Sequence, residues 1–438
     1  MNPDTLAFVM LIIAVFLIIV GCPVAFSLGG MALVFGAIGW GFNLLSAFPD
    51  RIYSTMTSYS LMAVPLFVLM GALIQYSGIA VRLYDSLYVL CGSLRGGLAV
   101  GTMILSMMFA ACTGIAGASV VTVGLLALPS MLDRGYKKEL ATGVILAGGG
   151  LGVVIPPSLL LILYGPIAGI SIAQLFSACL IPGVVLGLLY IVYIISTCII
   201  HPGYGPPISA AERTKSGSVS AVVLTSLLSV LPVFILVIAV LGSIFKGIAA
   251  PTEAAGIGVL GAVILMFFYR KMTMENLRSA AGMTLKSTTM IMLLVIGAGL
   301  FTTVFLGLGG GKAISRFVLG LNMGSNLTLI MLLFITFIMG FFMDWVGILL
   351  ILVPVYVPII EAINVNQLWF GVVFCITLQI SYMTPPFAYS IFYLKGIAPQ
   401  TVQLPHLYRG AIPFVMIQII FVALLVLFTQ HWNFLFLG

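Results

Sequence analysis

The chain has 438 residues, of which 62% are hydrophobic and 6% charged, against the roughly 25% charged residues of a soluble domain. A mean hydropathy of +1.29 excludes a water-soluble globular protein and points to a polytopic, all-α membrane protein. The net charge of +7 comes from basic residues scattered between apolar runs; a bias toward cytoplasmic loops explains that pattern, so no nucleic-acid partner is expected.

Met1 to Thr5 carries no basic segment, so Leu6 onward is expected to remain as a first span, not a cleaved signal peptide. The apolar run continues to Trp40 and is punctuated at Gly21-Cys22-Pro23, which divides it into two helices. A polar connector, Pro49 to Tyr59, leads to a third span, Ser60 to Tyr76. Residues 79–97 mix Arg82, Asp85 and Arg95 with apolar positions, which predicts a helix lying in the membrane interface. From Thr102 to Leu132 the small, polar centre Thr113-Gly114-Ile115-Ala116-Gly117-Ala118-Ser119 predicts the tip of a re-entrant hairpin. The run from Leu140 to Gly165 is long enough to cross a bilayer, yet Gly148 to Gly150, Gly152 and Pro156-Pro157 break it. An intact span, Ile172 to Ile200, ends a first half, residues 1–200.

The linker 201–220, with Pro202, Pro206, Pro207, Glu212, Arg213 and Lys215, is the longest polar stretch and is expected on the cytoplasmic side. The second half, 221–438, has spans at Ala221 to Leu241, Ile248 to Tyr269 and Leu285 to Leu306, then an interfacial segment with Lys312 and Arg316. A second hairpin, Leu327 to Ile360, has its tip at Gly340 to Gly347; a second broken span, Phe370 to Leu394, is interrupted at Thr384-Pro385-Pro386-Phe387; Ala411 to Phe428 is last. Pro23 and Pro251 lie 228 residues apart, and Pro129 with Pro358 and Pro156-Pro157 with Pro385-Pro386 lie 229 apart. Each half then crosses the membrane five times. An odd number of crossings forces the halves into opposite orientations, the inverted-repeat plan of secondary transporters. With both termini outside, all of the 17 basic residues but Arg51, Lys246, Lys312 and Arg316 fall inside, as the positive-inside bias requires.

Bare backbone at membrane depth is tolerated where it lines a polar cavity. Exposed helix ends and freed carbonyls there can hold an anion and replace the water around a cation. The candidate cation-binding residues are Thr113, Gly114, Gly117, Ser119, Gly152, Pro156, Gly340, Asp344, Gly347, Thr377, Met383 and Thr384. The candidate substrate contacts are Pro157, Ser158, Trp345, Ser381 and Pro385. Glycines and small polar residues also let helices pack closely, but a duplicated glycine-rich tip followed by a duplicated Pro-Pro break favours binding. Asp344 is the sharpest single candidate, because an intramembrane carboxylate is costly; its plainer role is to cap the helix that restarts after the tip. Glu253, in the first turn after Pro251, suits a structural or subunit-contact role. The six cysteines show no metal-ligand spacing, His201, His406 and His431 stand near predicted span ends, and Trp40, Trp369 and Trp432 are expected as interfacial anchors. An intramembrane enzyme would need paired catalytic groups at depth, and Asp344 has no second Asp or His near it by sequence. A channel fits duplicated breaks less well than alternating access does.

The chain resembles the large membrane subunit, M type, of tripartite ATP-independent periplasmic (TRAP) transporters. The resemblance runs through Gly21 to Phe26, Gly114 to Ser119, Pro129 to Tyr136, Gly152 to Ser158, Tyr164-Gly165, Pro251 to Ala255 and Pro385-Pro386-Phe387. It implies a sodium-coupled importer of the bacterial inner membrane that works by an elevator motion, with no cofactor besides sodium as the coupling ion. Its partners would be a small four-helix membrane subunit (Q type), a periplasmic solute-binding protein (P type), an organic-acid substrate and membrane lipid. A sodium/carboxylate symporter that works alone is the nearest alternative. Asp344-Trp345 stands where C4-dicarboxylate members carry a more polar pair, which leaves a C4-dicarboxylate, a 2-oxo acid and a sialic or sugar acid all open.

Overall fold

The computed structural model describes residues 3–41, 44–207, 219–385 and 388–427, and every regular element within them is helical. Most of the linker, including Glu212, Arg213 and Lys215, lies outside the described residues, as do Pro386, Phe387, His431 and Trp432. The first half runs α1 (Pro3–Ile19), α2 (Val24–Trp40), α3 (Leu44–Met56), α4 (Ala63–Tyr76), α5 (Ile79–Cys91), α6 (Gly97–Thr113), α7 (Ala116–Asp133), α8 (Lys138–Gly150), α9 (Leu159–Ala168) and α10 (Ile172–Ile200). The second runs α11 (Val219–Phe245), α12 (Pro251–Phe268), α13 (Met274–Gly307), α14 (Gly310–Gly320), α15 (Gly324–Met339), α16 (Trp345–Ala362), α17 (Gln367–Met383), α18 (Tyr389–Ile397) and α19 (Leu404–Leu427).

Three expectations change. The connector at 49–59 is largely helical, because Phe48, Ile52 and Thr55 fall at i, i+4 and i+7 and turn inward where α3 packs on α13, while Arg51 and Ser54 stay exposed. The span expected from Leu285 starts a full eleven residues earlier, at Met274. Thr273 caps it, its Oγ1 accepting from the Asn276 amide at 3.2 Å, so Arg278 rides on the helix instead of preceding it. Trp369 is 5% exposed and sits in the core, not at a lipid interface. Five cysteines are buried and Cys22 is exposed.

By length and apolarity α7, α10, α12, α13, α16 and α19 can each cross a membrane, and Ser46–Met56 with Ser60–Tyr76, bent by 52°, make a further candidate span. The arms α7 and α16 have 18 residues each. At 1.5 Å per residue such an arm is about 27 Å long, close to the full ~30 Å of a hydrocarbon core, so a re-entrant arm of this length would have to tilt or begin in the headgroup region.

The packing is reciprocal between the halves. α2 lies along α13 and α12 along α4; α19 packs on α8 and α10 on α17; α7 packs on α18 and α16 on α9. Exchanging the halves turns the first member of each pair of contacts into the second, as a two-fold relation requires. The site-bearing helices are the most enclosed. Leu140 to Gly150 on α8 and Trp369 to Met383 on α17 are buried on every side, which is how a helix apolar all round sits within a bundle. Gly143 admits α19, since a Cβ there would run into the Gly410 carbonyl oxygen.

Candidate functional site

The first tip is built on Gly114. α6 ends there in a left-handed turn, φ +60, and Ile115 is extended before α7 begins. A Cβ on Gly114 would lie 2.8 Å from the Pro157 carbonyl oxygen, so a side chain there would hold the tip off the break. The Leu159 amide donates to the Gly114 carbonyl at 3.4 Å, tying the tip to the restart of the broken span. Thr113 Oγ1 and Ser119 Oγ share a hydrogen bond of 2.9 Å across the tip.

Facing it, α8 ends at Gly150, a single 3-10 turn covers Leu151–Val153, and the helix resumes only at Leu159. Gly152 lies against the hairpin, its Cβ position 3.5 Å from Ala110 Cα and 3.7 Å from the Ala116 amide nitrogen. Ser158 Oγ donates to the Val153 carbonyl at 2.5 Å and spans the interruption. Residues 148–158, with Pro156 and Pro157 among them, are all buried.

The second tip meets the second break in the same manner. α17 ends at Met383, which is buried, with Thr384 extended and Pro385 exposed. A Cβ on Gly340 would run into Ser381, so the tip touches α17 in its last turn. Ser381 Oγ donates to the Leu378 carbonyl at 2.6 Å and Thr384 Oγ1 to that of Ile380 at 2.7 Å. Asp344 is the N-cap of α16, its Oδ2 accepting from the Val346 amide at 3.3 Å. Trp345 follows, half-buried.

Three candidates do not join these clusters in the expected way. Thr377 bonds its own helix at Val373 and lines an apolar cavity between α15, α17 and α19. Gly347 faces Val24 on α2 and Met343. Gly117 faces the other half, its Cβ position 2.9 Å from the Tyr393 ring on α18. Glu253 Oε2 accepts from the Ala250 amide at 2.8 Å and so caps α12.

Sequence reasoning missed a group around Asp344. Tyr382 on α17 and Tyr389 and Tyr393 on α18 gather near the second tip, the Tyr382 and Tyr389 rings 6.3 Å apart. With Gly117 against Tyr393, that group links the second tip to the first hairpin. Three tyrosines within twelve residues of a broken span were the signal available. Also missed was Gln379, 0% exposed with neither amide atom hydrogen-bonded, beside Gly150. Those two positions are 229 residues apart, the interval between the proline pairs.

Among the described residues no three His, Cys, Asp or Glu side chains cluster as metal ligands. The tips and breaks offer backbone carbonyls and hydroxyls, with glycines at the closest approaches, a donor set that fits a monovalent cation such as sodium.

The family model described as "Tripartite ATP-independent periplasmic transporter, DctM component" matches residues 10–431. The C4-dicarboxylate TRAP transporter large permease protein DctM of Pseudomonas aeruginosa is 30% identical over 374 residues, covering 85% of this chain and 84% of that protein. The ectoine TRAP transporter large permease protein TeaC of Halomonas elongata is 30% identical, covering 94% and 95%. The crystal structure of the Alcanivorax borkumensis YdaH transporter superposes with a TM-score of 0.64 over 98% of this chain and 99% of that one, at 12% identity, a likeness of fold.

Proposed function

The chain belongs to the DctM component family of tripartite ATP-independent periplasmic transporters, and we propose on that premise that it is the large permease subunit of a sodium-coupled importer of an organic acid. The family is one of transporters, not enzymes. On this reading the two halves, 1–200 and 221–438, are inverted repeats, both termini face outward, and the protein resides in the bacterial inner membrane. A small four-helix membrane subunit and a periplasmic binding protein complete the assembly. The relatives named above carry a C4-dicarboxylate and ectoine, and each solute bears a carboxylate.

The observation that carries the reading is that both glycine-rich tips touch the two interrupted helices, Gly114 on Pro157 and Gly340 on Ser381. Such junctions put main-chain dipoles at the centre of the bundle, where a carboxylate meets amides and a cation meets carbonyls. Thr113, Gly114, Ser119, Gly152 and Pro156 would serve one sodium position. Gly340, Asp344, Met383 and Thr384 would serve the other, with Pro157, Ser158, Trp345, Ser381 and Pro385 about the acid. Charge balance gives sodium its role: a cation bound first offsets the anion that follows.

Uptake by proteoliposomes holding the permease subunits and supplied with the binding protein tests the proposal. Accumulation that requires an inward sodium gradient is expected; the same rate in potassium or choline overturns the coupling. Uptake undiminished without the two partners would assign the chain to stand-alone symport. Asp344→Asn separates capping from charge, since Asn also caps helices well. Apparent sodium affinity is expected to fall roughly tenfold, ~1.4 kcal/mol, with membrane insertion intact; unchanged sodium dependence would leave Asp344 as a cap alone.

A further inference from the structure

A cavity of about 490 Å3 lies away from the tips, with α3 and α13 on one side and α9 and α16 on the other. Its lining is apolar along Leu163, Pro166, Leu350 and Pro354, and it carries one charged side chain, Arg51. The Ser58 and Thr302 side chains line the same space. Among the described residues no carboxylate forms a salt bridge with Arg51. Gly299 is what lets the guanidinium lie on α13, since a Cβ there would stand 3.1 Å from Arg51 Nε.

The cavity is placed to feed the tips. Leu163 and Pro166 follow Ser158 by five and eight residues, and Leu350 and Pro354 follow Asp344 by six and ten. At a rise of 1.5 Å per residue the cavity is therefore roughly 8–15 Å along two helices from the two junctions. An unpaired cation against low-dielectric walls concentrates its field on the cavity and favours an anion there. A guanidinium fork matches a carboxylate in two-point geometry.

We propose that this cavity is a docking site for the carboxylate of the solute, held by Arg51 and filled before the acid reaches the tips. The proposal rests on the reading of the chain as an organic-acid transporter. It makes Arg51 a ligand of the solute, distinct from the backbone sites at the breaks.

The test uses the assembled transporter in membranes, with Cys22→Ser to remove the exposed thiol and Thr302→Cys to report from the cavity. Reaction with an anionic methanethiosulfonate is expected to be on the order of tenfold faster than with its cationic analogue, and Arg51→Gln should abolish that preference. Equal rates for both reagents with Arg51 present would overturn the proposal. So would failure of succinate, pyruvate and N-acetylneuraminate, each tested in turn, to slow the labelling. If the cysteine at 302 prevents assembly, Ser58→Cys reports on the same space. Were the chain no organic-acid importer, uptake would be absent while the charge preference remained. Were the docking site wrong, uptake would persist without that preference.

Discussion

Gly340 and Ser381 are in contact across the second junction with no room for a methyl group between them. Gly340→Ala is expected to lower thermal stability by about 1–3 kcal/mol through overpacking. Ser381→Gly should relieve part of that loss, so the double variant is less destabilised than the sum of the singles; strict additivity in a thermal-unfolding series would mean that the tip does not press on α17. Gln379 poses the opposite case. Its buried amide has no partner, and an unsatisfied buried polar group costs about 1–3 kcal/mol, whereas an apolar group of the same shape is nearly neutral or stabilising. Gln379→Leu is therefore expected to hold or raise the melting temperature. A clear fall would reveal that the amide has a partner, a bound water or ion, at the contact between the halves.

At the level of elements, the sequence marked the broken spans and tips because glycine and proline act on the backbone directly. Gly114 requires a positive φ, and Pro156-Pro157 cannot donate to a helix, whatever surrounds them. The helix α3 was not legible, since Pro49, Asp50, Arg51 and Ser54 give it the composition of a loop and its burial depends on α13, more than 200 residues away. The tyrosines around Asp344 were hidden for a similar reason: α18 reaches the site by docking on α7 from the other half. Thr377 is the converse case, a hydroxyl at a suggestive position that bonds its own helix and lines an apolar cavity. The junction of α8 and α19 is a direct measure of such long-range packing. Gly143→Val, which would push on the Gly410 carbonyl, is expected to destabilise the purified protein by about 1–3 kcal/mol. Gly256→Ala on α12, where a Cβ meets nothing within 4 Å, should be tolerated with little loss.

For the molecule as a whole, orientation is a matter of a few charges. On the proposed orientation Lys246 lies outside and Arg270 inside, so the helix α12 between them sets the direction of the second half. A membrane-impermeant maleimide is expected to label Lys246→Cys in intact cells or sealed right-side-out vesicles and Arg270→Cys only after the membrane is opened. The reverse pattern would invert every assignment of face made above. Each hairpin also meets a neighbouring helix at a glycine: Gly71 on α4 lies under Thr113, with 2.9 Å from its Cβ position to Thr113 Cα, and Gly347 on α16 lies against Val24 on α2. On an elevator mechanism those are the surfaces that shear, and bare main chain is the smoothest surface a helix can offer. Adding a methyl to Gly71 would then act as a brake, lowering turnover while leaving the occupancy of the sites untouched.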